Sequence, residues 1–127
     1  MNSWTNWMDL NSDNVKAIPK NVKGVYVIRK TKNIGTSESD IIYIGHAGTG
    51  EQGIGQRLRY LISDLQNRRK KSKNYSPSQK INKHIKSGLQ ISWLKCSKNP
   101  DGVEKALFLA FNCSTASLPV CNDNFRG

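Results

Sequence analysis

Acidic residues are scarce in this chain of 127 residues: nine Asp and Glu stand against twenty Lys and Arg, giving +11 at neutral pH. That shortage favours a polyanion as partner, because solvated basic side chains release counterions from a phosphate backbone. Cysteine is also sparse. Cys96, Cys113 and Cys121 are odd in number and show neither Cys-x-x-Cys nor Cys/His zinc spacing, which argues against a disulfide framework or a structural zinc. Reduced, mostly buried thiols are expected instead. Long apolar runs are missing too: the longest, Ala106 to Phe111, is far too short to span a bilayer, so no membrane partner is expected. The opening Met1-Asn2-Ser3-Trp4 lacks the basic-then-apolar pattern of a secretory signal, which makes the cytoplasm the expected compartment. No internal repeat or linker is visible. A chain of this length reads as one domain that buries roughly two thirds of its extended surface.

The positive charge is concentrated. Residues 57 to 86 hold ten of the twenty Lys and Arg with Asp64 as the only acid, and so carry +9 of the total. The densest part, Arg68-Arg69-Lys70-Lys71-Ser72-Lys73, has no apolar period and reads as a helix end passing into a solvated loop. Arg59, Arg68, Arg69, Lys70, Lys71, Lys73, Lys80 and Lys83 are the candidate nucleic-acid contacts of this segment.

Strand and helix patterns alternate around it. Val22 to Lys30 and Ile41 to Gly45 are β-branched and apolar and read as two strands, joined by a polar hairpin loop over Thr31 to Asp40. Ile54, Leu58, Leu61, Ile62 and Leu65 fall on one helical stripe, so a helix is expected from Ile54 to about Asn67. Ser76-Pro77 opens a short second helix that Gly88 ends. Leu89, Ile91 and Trp93 alternate with Gln90, Ser92 and Leu94 as a third strand. Asn99-Pro100-Asp101-Gly102 is a turn able to cap a last helix, striped by Val103, Leu107, Ala110 and Phe111. The order β, β, α, α, β, α makes a small α+β domain whose first two strands pair antiparallel and whose helices cover the sheet.

Gly24-Val25-Tyr26 on the first strand and Tyr43-Ile44-Gly45 on the second resemble the paired signature of the GIY-YIG endonuclease family. Arg57 on the next helix, Glu104 on a later helix and Asn122 near the end stand where that family has an Arg, a Glu and an Asn, so the resemblance covers about residues 20 to 125. It implies an α/β sandwich around a central three-stranded antiparallel sheet, and divalent-metal-dependent cleavage of DNA phosphodiesters by a stand-alone nuclease domain. RNA is a further candidate partner, since phosphate contacts carry no sequence information.

The residue types suit that chemistry. Diester hydrolysis needs a cation to offset charge on the phosphoryl oxygens, an activated water and donors that hold the phosphate in line. Glu104 is the implied metal ligand, and one carboxylate completed by water and phosphate suits Mg²⁺ or Mn²⁺. Arg57 would grip the scissile phosphate, its planar fork matching two oxygens at once. Tyr26 and Tyr43 have aliphatic neighbours on the other face, so their hydroxyls are expected to emerge on one side of the sheet as the floor of the site. By resemblance one of them, Tyr26 first, acts as general base or orients the water. Gly48, Gly50, Gly53 and Gly55 crowd the entry to the helix, either as a DNA-contact loop or as plain turn geometry.

Two positions depart from the family pattern. After the second tripeptide, where many members have Lys, this chain has His46, able to donate to phosphate or to act as a base. One turn after the Arg, where many members have His or Tyr, it has Leu61, with Tyr60 alongside. Tyr60 or His46 then takes over proton transfer, or turnover is slow. Asn122 is either catalytic or a tail lock that hydrogen-bonds backbone near the site. Trp4, Trp7 and Trp93 read as core and lid aromatics rather than stacking platforms for bases. The alternative to an enzyme is a nucleic-acid-binding module of the same fold that has lost turnover. With no added DNA-reading domain, low intrinsic specificity or dependence on a homodimer or a protein partner is expected.

Overall fold

The computed structural model describes residues 4–19, 21–31, 41–47, 53–66, 81, 88–96, 100–115 and 122. Its elements in chain order are β1 (Met8–Asp9), α1 (Ser12–Lys16), β2 (Gly24–Lys30), β3 (Ile41–Ala47), α2 (Ile54–Gln66), β4 (Leu89–Lys95) and α3 (Pro100–Thr115). The fold is α+β. Its antiparallel sheet has four strands in the order β1-β4-β2-β3, one more than the sequence pattern marks.

The three long strands form where alternation or β-branched runs predict them. Central β2 pairs with β3 on one side and with β4 on the other along its length. β1 is too short to carry a period and is held by its surroundings. Thr5 N–H donates to the Trp93 carbonyl at 3.0 Å, the Thr5 hydroxyl accepts from Trp93 N–H at 3.0 Å, and Met8 and Asp9 then pair with Ile91 and Gln90. α1 follows because Asn11 caps it, its side-chain oxygen accepting from Asn14 N–H at 2.8 Å.

The sheet carries a different layer on each face. Tyr26, Ile28, Tyr43 and Ile91 pack with Val15 and Ile18 from the α1 region and with Ile54, Leu58, Leu61, Ile62 and Leu65 of α2. That helical stripe is the one read from the sequence. Ile81, helical and fully buried, belongs to the same layer, while the rest of the expected 77–88 helix lies outside the described residues. On the other face, Val27 and Ile44 pack against Phe108 of α3. Here the expected stripe is displaced: α3 buries Glu104 and Phe108, leaves Val103 and Leu107 half-buried, and exposes Leu109 and Ala110. The helix also begins at Pro100, three residues before the stripe, because proline costs no hydrogen bond at a first helical position.

Candidate functional site

Strand register determines what the two tripeptides do to each other. Tyr26 lies directly opposite Gly45, and Ile28 opposite Tyr43. A side chain at Gly45 would put its Cβ 2.5 Å from both the Tyr26 Cζ and the Tyr26 hydroxyl, so the glycine of the second tripeptide makes room for the tyrosine of the first. Gly24 is required for a similar reason: a Cβ there would overlap the Leu94 carbonyl oxygen of the neighbouring strand. The tyrosines share a face, as expected, with ring centroids 6.1 Å apart. They do not form an open floor. Each is only 2% exposed, because α1 and α2 cover that face.

Alternation sends the next residue of β3 the other way. His46 pairs with Val25 and emerges on the α3 face, where its Nδ1 lies 2.9 Å from Oε1 of Glu104. Glu104 has no exposed side-chain surface, and His46 retains 17%. The contact is at ion-pair distance, although the two atoms are out of line for a hydrogen bond. Asp101, one turn before Glu104, completes a group in which each residue offers a donor atom within 4.8 Å of the others. Asp101 also pairs with Lys105 at 3.2 Å, an exposed i,i+4 contact worth about 0.3–0.5 kcal/mol and easily given up. Nothing in the sequence reading singled out Asp101. Its signal was the Asp-x-x-Glu spacing, which puts both carboxylates on one side of the first helical turns.

Two of the expected residues sit apart from this group. Arg57 is in the first turn of α2, half-buried, and its Nε is shielded from solvent with no hydrogen-bond partner among the described residues. Asn122 is 7% exposed and bonds the backbone of Ile44 twice: its oxygen accepts from Ile44 N–H and its amide donates to the Ile44 carbonyl, both at 3.0 Å. Among the described residues β3 is the outermost strand, and Asn122 bonds its open edge as a neighbouring peptide group would.

No family model, curated protein or solved structure matches this chain.

The site therefore rests on its own geometry, and the topology gives it a place. β2 begins, and β3 and β4 end, at the same end of the sheet. There α2 starts, tied by Ile54 N–H to the Val22 carbonyl at 2.7 Å, and there Glu104 in the second turn of α3 meets His46. Tyr26, Gly45, His46, Arg57, Asp101 and Glu104 are thus gathered at one end, from two faces. Tyr43 lies deeper, opposite Ile28.

The remaining candidates divide clearly. Leu61 is core and Tyr60 is 51% exposed, whereas His46 is the side chain set against Glu104. Arg59 reaches back to the Lys16 carbonyl at 3.4 Å. Arg68, Arg69, Lys70, Lys71, Lys73, Lys80 and Lys83 lie outside the described residues, as do Gly48 and Gly50 of the glycine-rich entry, whereas Gly53 and Gly55 are buried. Trp93 packs against the larger core cluster. Trp7 packs against the smaller and holds Arg29 4.1 Å above its ring, and Trp4 is 40% exposed. Cys96 is buried and forms no disulfide among the described residues.

Proposed function

We propose that this chain is a divalent-metal-dependent DNA endonuclease of the GIY-YIG type. The observation that carries the reading is the carboxylate of Glu104, fully enclosed and set against His46 at the end of the strand that bears Tyr43-Ile44-Gly45. An enclosed carboxylate set against an ionisable side chain is a poor device for stability, since apolar residues of equal volume usually do as well or better. Its presence beside the second tripeptide is accounted for by chemistry. The packing of Tyr26 over Gly45 supports the same reading, because it makes the two tripeptides one structural unit.

In this reading Glu104 holds the cation, Mg²⁺ or Mn²⁺, which when bound offsets charge on the phosphoryl oxygens and makes a bound water more acidic. Arg57 grips the phosphate through its planar guanidinium fork. Tyr26 orients the attacking water from above Gly45, and Tyr43 braces the Tyr26 ring. Asn122 acts as the tail lock that holds β3, and with it His46, in register. The basic 57–86 segment binds the nucleic-acid backbone, and the protein works in the cytoplasm. One observation favours a second reading, a DNA- or RNA-binding module without turnover: both tyrosines are enclosed on the face opposite Glu104.

Supercoiled plasmid incubated with wild type, Glu104→Ala and Arg57→Ala separates the readings. Wild type with Mg²⁺ or Mn²⁺ is expected to nick, chelator to stop it, and each substitution to slow it by about a hundredfold or more. Equal nicking by all three proteins would indicate a contaminant and remove the enzyme. Plasmid binding without nicking would establish the second reading.

A further inference from the structure

We propose that His46 and Asp101 join Glu104 as direct ligands of one divalent cation, and that the imidazole makes the site select Mn²⁺ over Mg²⁺. The proposal rests on the reading of Glu104 as a metal ligand and specifies the rest of the donor set.

The distances suit shared coordination. Two donors about 2.1 Å from one ion and at right angles to each other are separated by ~3.0 Å, and trans ligands by ~4.2 Å. His46 Nδ1 and Glu104 Oε1 are 2.9 Å apart, close to the first value. Asp101 offers a carboxylate oxygen within 4.8 Å of both. Its side chain is half-exposed and its ion pair is with the exposed Lys105, so a rotation brings it in.

The donor set then determines the ion. Mg²⁺ demands oxygen ligands and keeps its waters, whereas imidazole nitrogen suits the first-row transition ions, and carboxylates admit Mn²⁺ among them. One nitrogen with two carboxylate oxygens therefore favours Mn²⁺ over Mg²⁺. Positions not filled by protein remain for water and a phosphate oxygen.

Mn²⁺ titration of the full chain, followed by the decline of the free-ion electron paramagnetic resonance signal and repeated with Mg²⁺ as competitor, tests the proposal without any nuclease assay. The expected result is one saturable Mn²⁺ per chain, displaced only by at least tenfold more Mg²⁺. Asp101→Asn and His46→Gln should each weaken Mn²⁺ binding tenfold or more, and His46→Gln should also narrow the preference over Mg²⁺. Circular dichroism checks folding, and if His46→Gln misfolds, the half-exposed Asp101→Asn decides alone. Absence of saturable Mn²⁺ binding in wild type, or unchanged affinity in the folded variants, overturns the proposal. Intact Mn²⁺ binding in a protein that never nicks plasmid upholds the site and removes the nuclease. Nicking by a protein whose Mn²⁺ affinity ignores both substitutions removes the site and leaves the nuclease.

Discussion

Gly45→Ala is the sharpest probe of how the two tripeptides depend on each other. The added methyl would stand 2.5 Å from the Tyr26 Cζ and hydroxyl oxygen and 2.9 Å from Cε2. Ordinary carbon contacts are ~3.5–4.0 Å, so the ring would have to retreat by about 1 Å. There is little room for it, because Tyr26 is 2% exposed, its ring is tilted against that of Tyr43, and it is borne on a strand paired on both sides. Overpacking of this kind costs ~1–3 kcal/mol, and the enclosure puts the expected destabilisation at about 2–3. At about 4 °C per kcal/mol for a chain of this size, Tm should fall by ~8–12 °C, with an unchanged urea m-value. A double-mutant cycle isolates the cause. In Tyr26→Leu the offending atoms are gone, and Gly45→Ala should then be neutral or slightly stabilising, since alanine is less costly than glycine inside a strand. An equal destabilisation in both backgrounds, or none in the wild type, would refute the idea that Gly45 exists to seat Tyr26.

Asn122→Ala should cost about 2–3 kcal/mol, because it strands the Ile44 N–H and carbonyl at a covered sheet edge, and hydrogen exchange at the Ile44 amide should accelerate. Asn122→Asp should rescue little, since it opposes the Ile44 carbonyl with a second acceptor, and unaltered exchange at Ile44 would contradict both expectations. Neutralising Arg68, Arg69, Lys70 and Lys71 should weaken DNA binding and flatten its log–log salt dependence by ~0.9 for each phosphate no longer neutralised. A slope equal to that of wild type would make the run a solvated surface.

Much of the scaffold was legible because its forces are periodic. The stripe Ile54, Leu58, Leu61, Ile62 and Leu65 is buried as one face of α2, and three strands lie within two residues of where β-branched runs and alternation put them. β1 and α1 left no such trace, since the first has two residues and the second five, and both are held by bonds to distant partners or by a single cap. α3 was misphased for a different reason. Ala106 to Phe111 is continuously apolar, so the sequence carries no contrast from which to choose a face, and the face chosen buries a carboxylate. A hydrophobic pattern cannot anticipate that choice, because its partner, His46, is 58 positions away. The individual site candidates were legible as residue types, but their division between two sheet faces was not: it follows from the pairing of Tyr26 with Gly45 and of Val25 with His46, a register that only the folded sheet defines.

That division constrains how the proposed nuclease meets its substrate. A phosphodiester laid on either sheet face would meet a helix: α2 over the tyrosines, or α3 over Val27 and Ile44. The end of the sheet where β3 finishes is different, because both faces terminate there and the first turns of α2 and α3 lie beside it. Helix N-termini carry partial positive charge, and Arg57 adds a full one, so an anion is drawn to the place where Glu104 and His46 would hold a cation. In the proposed site the carboxylates would serve the metal, and the guanidinium and helix ends would serve the phosphate. In this arrangement DNA approaches along the strand axis, and a tyrosine enclosed by α2 needs only its hydroxyl, at Gly45, to reach the end.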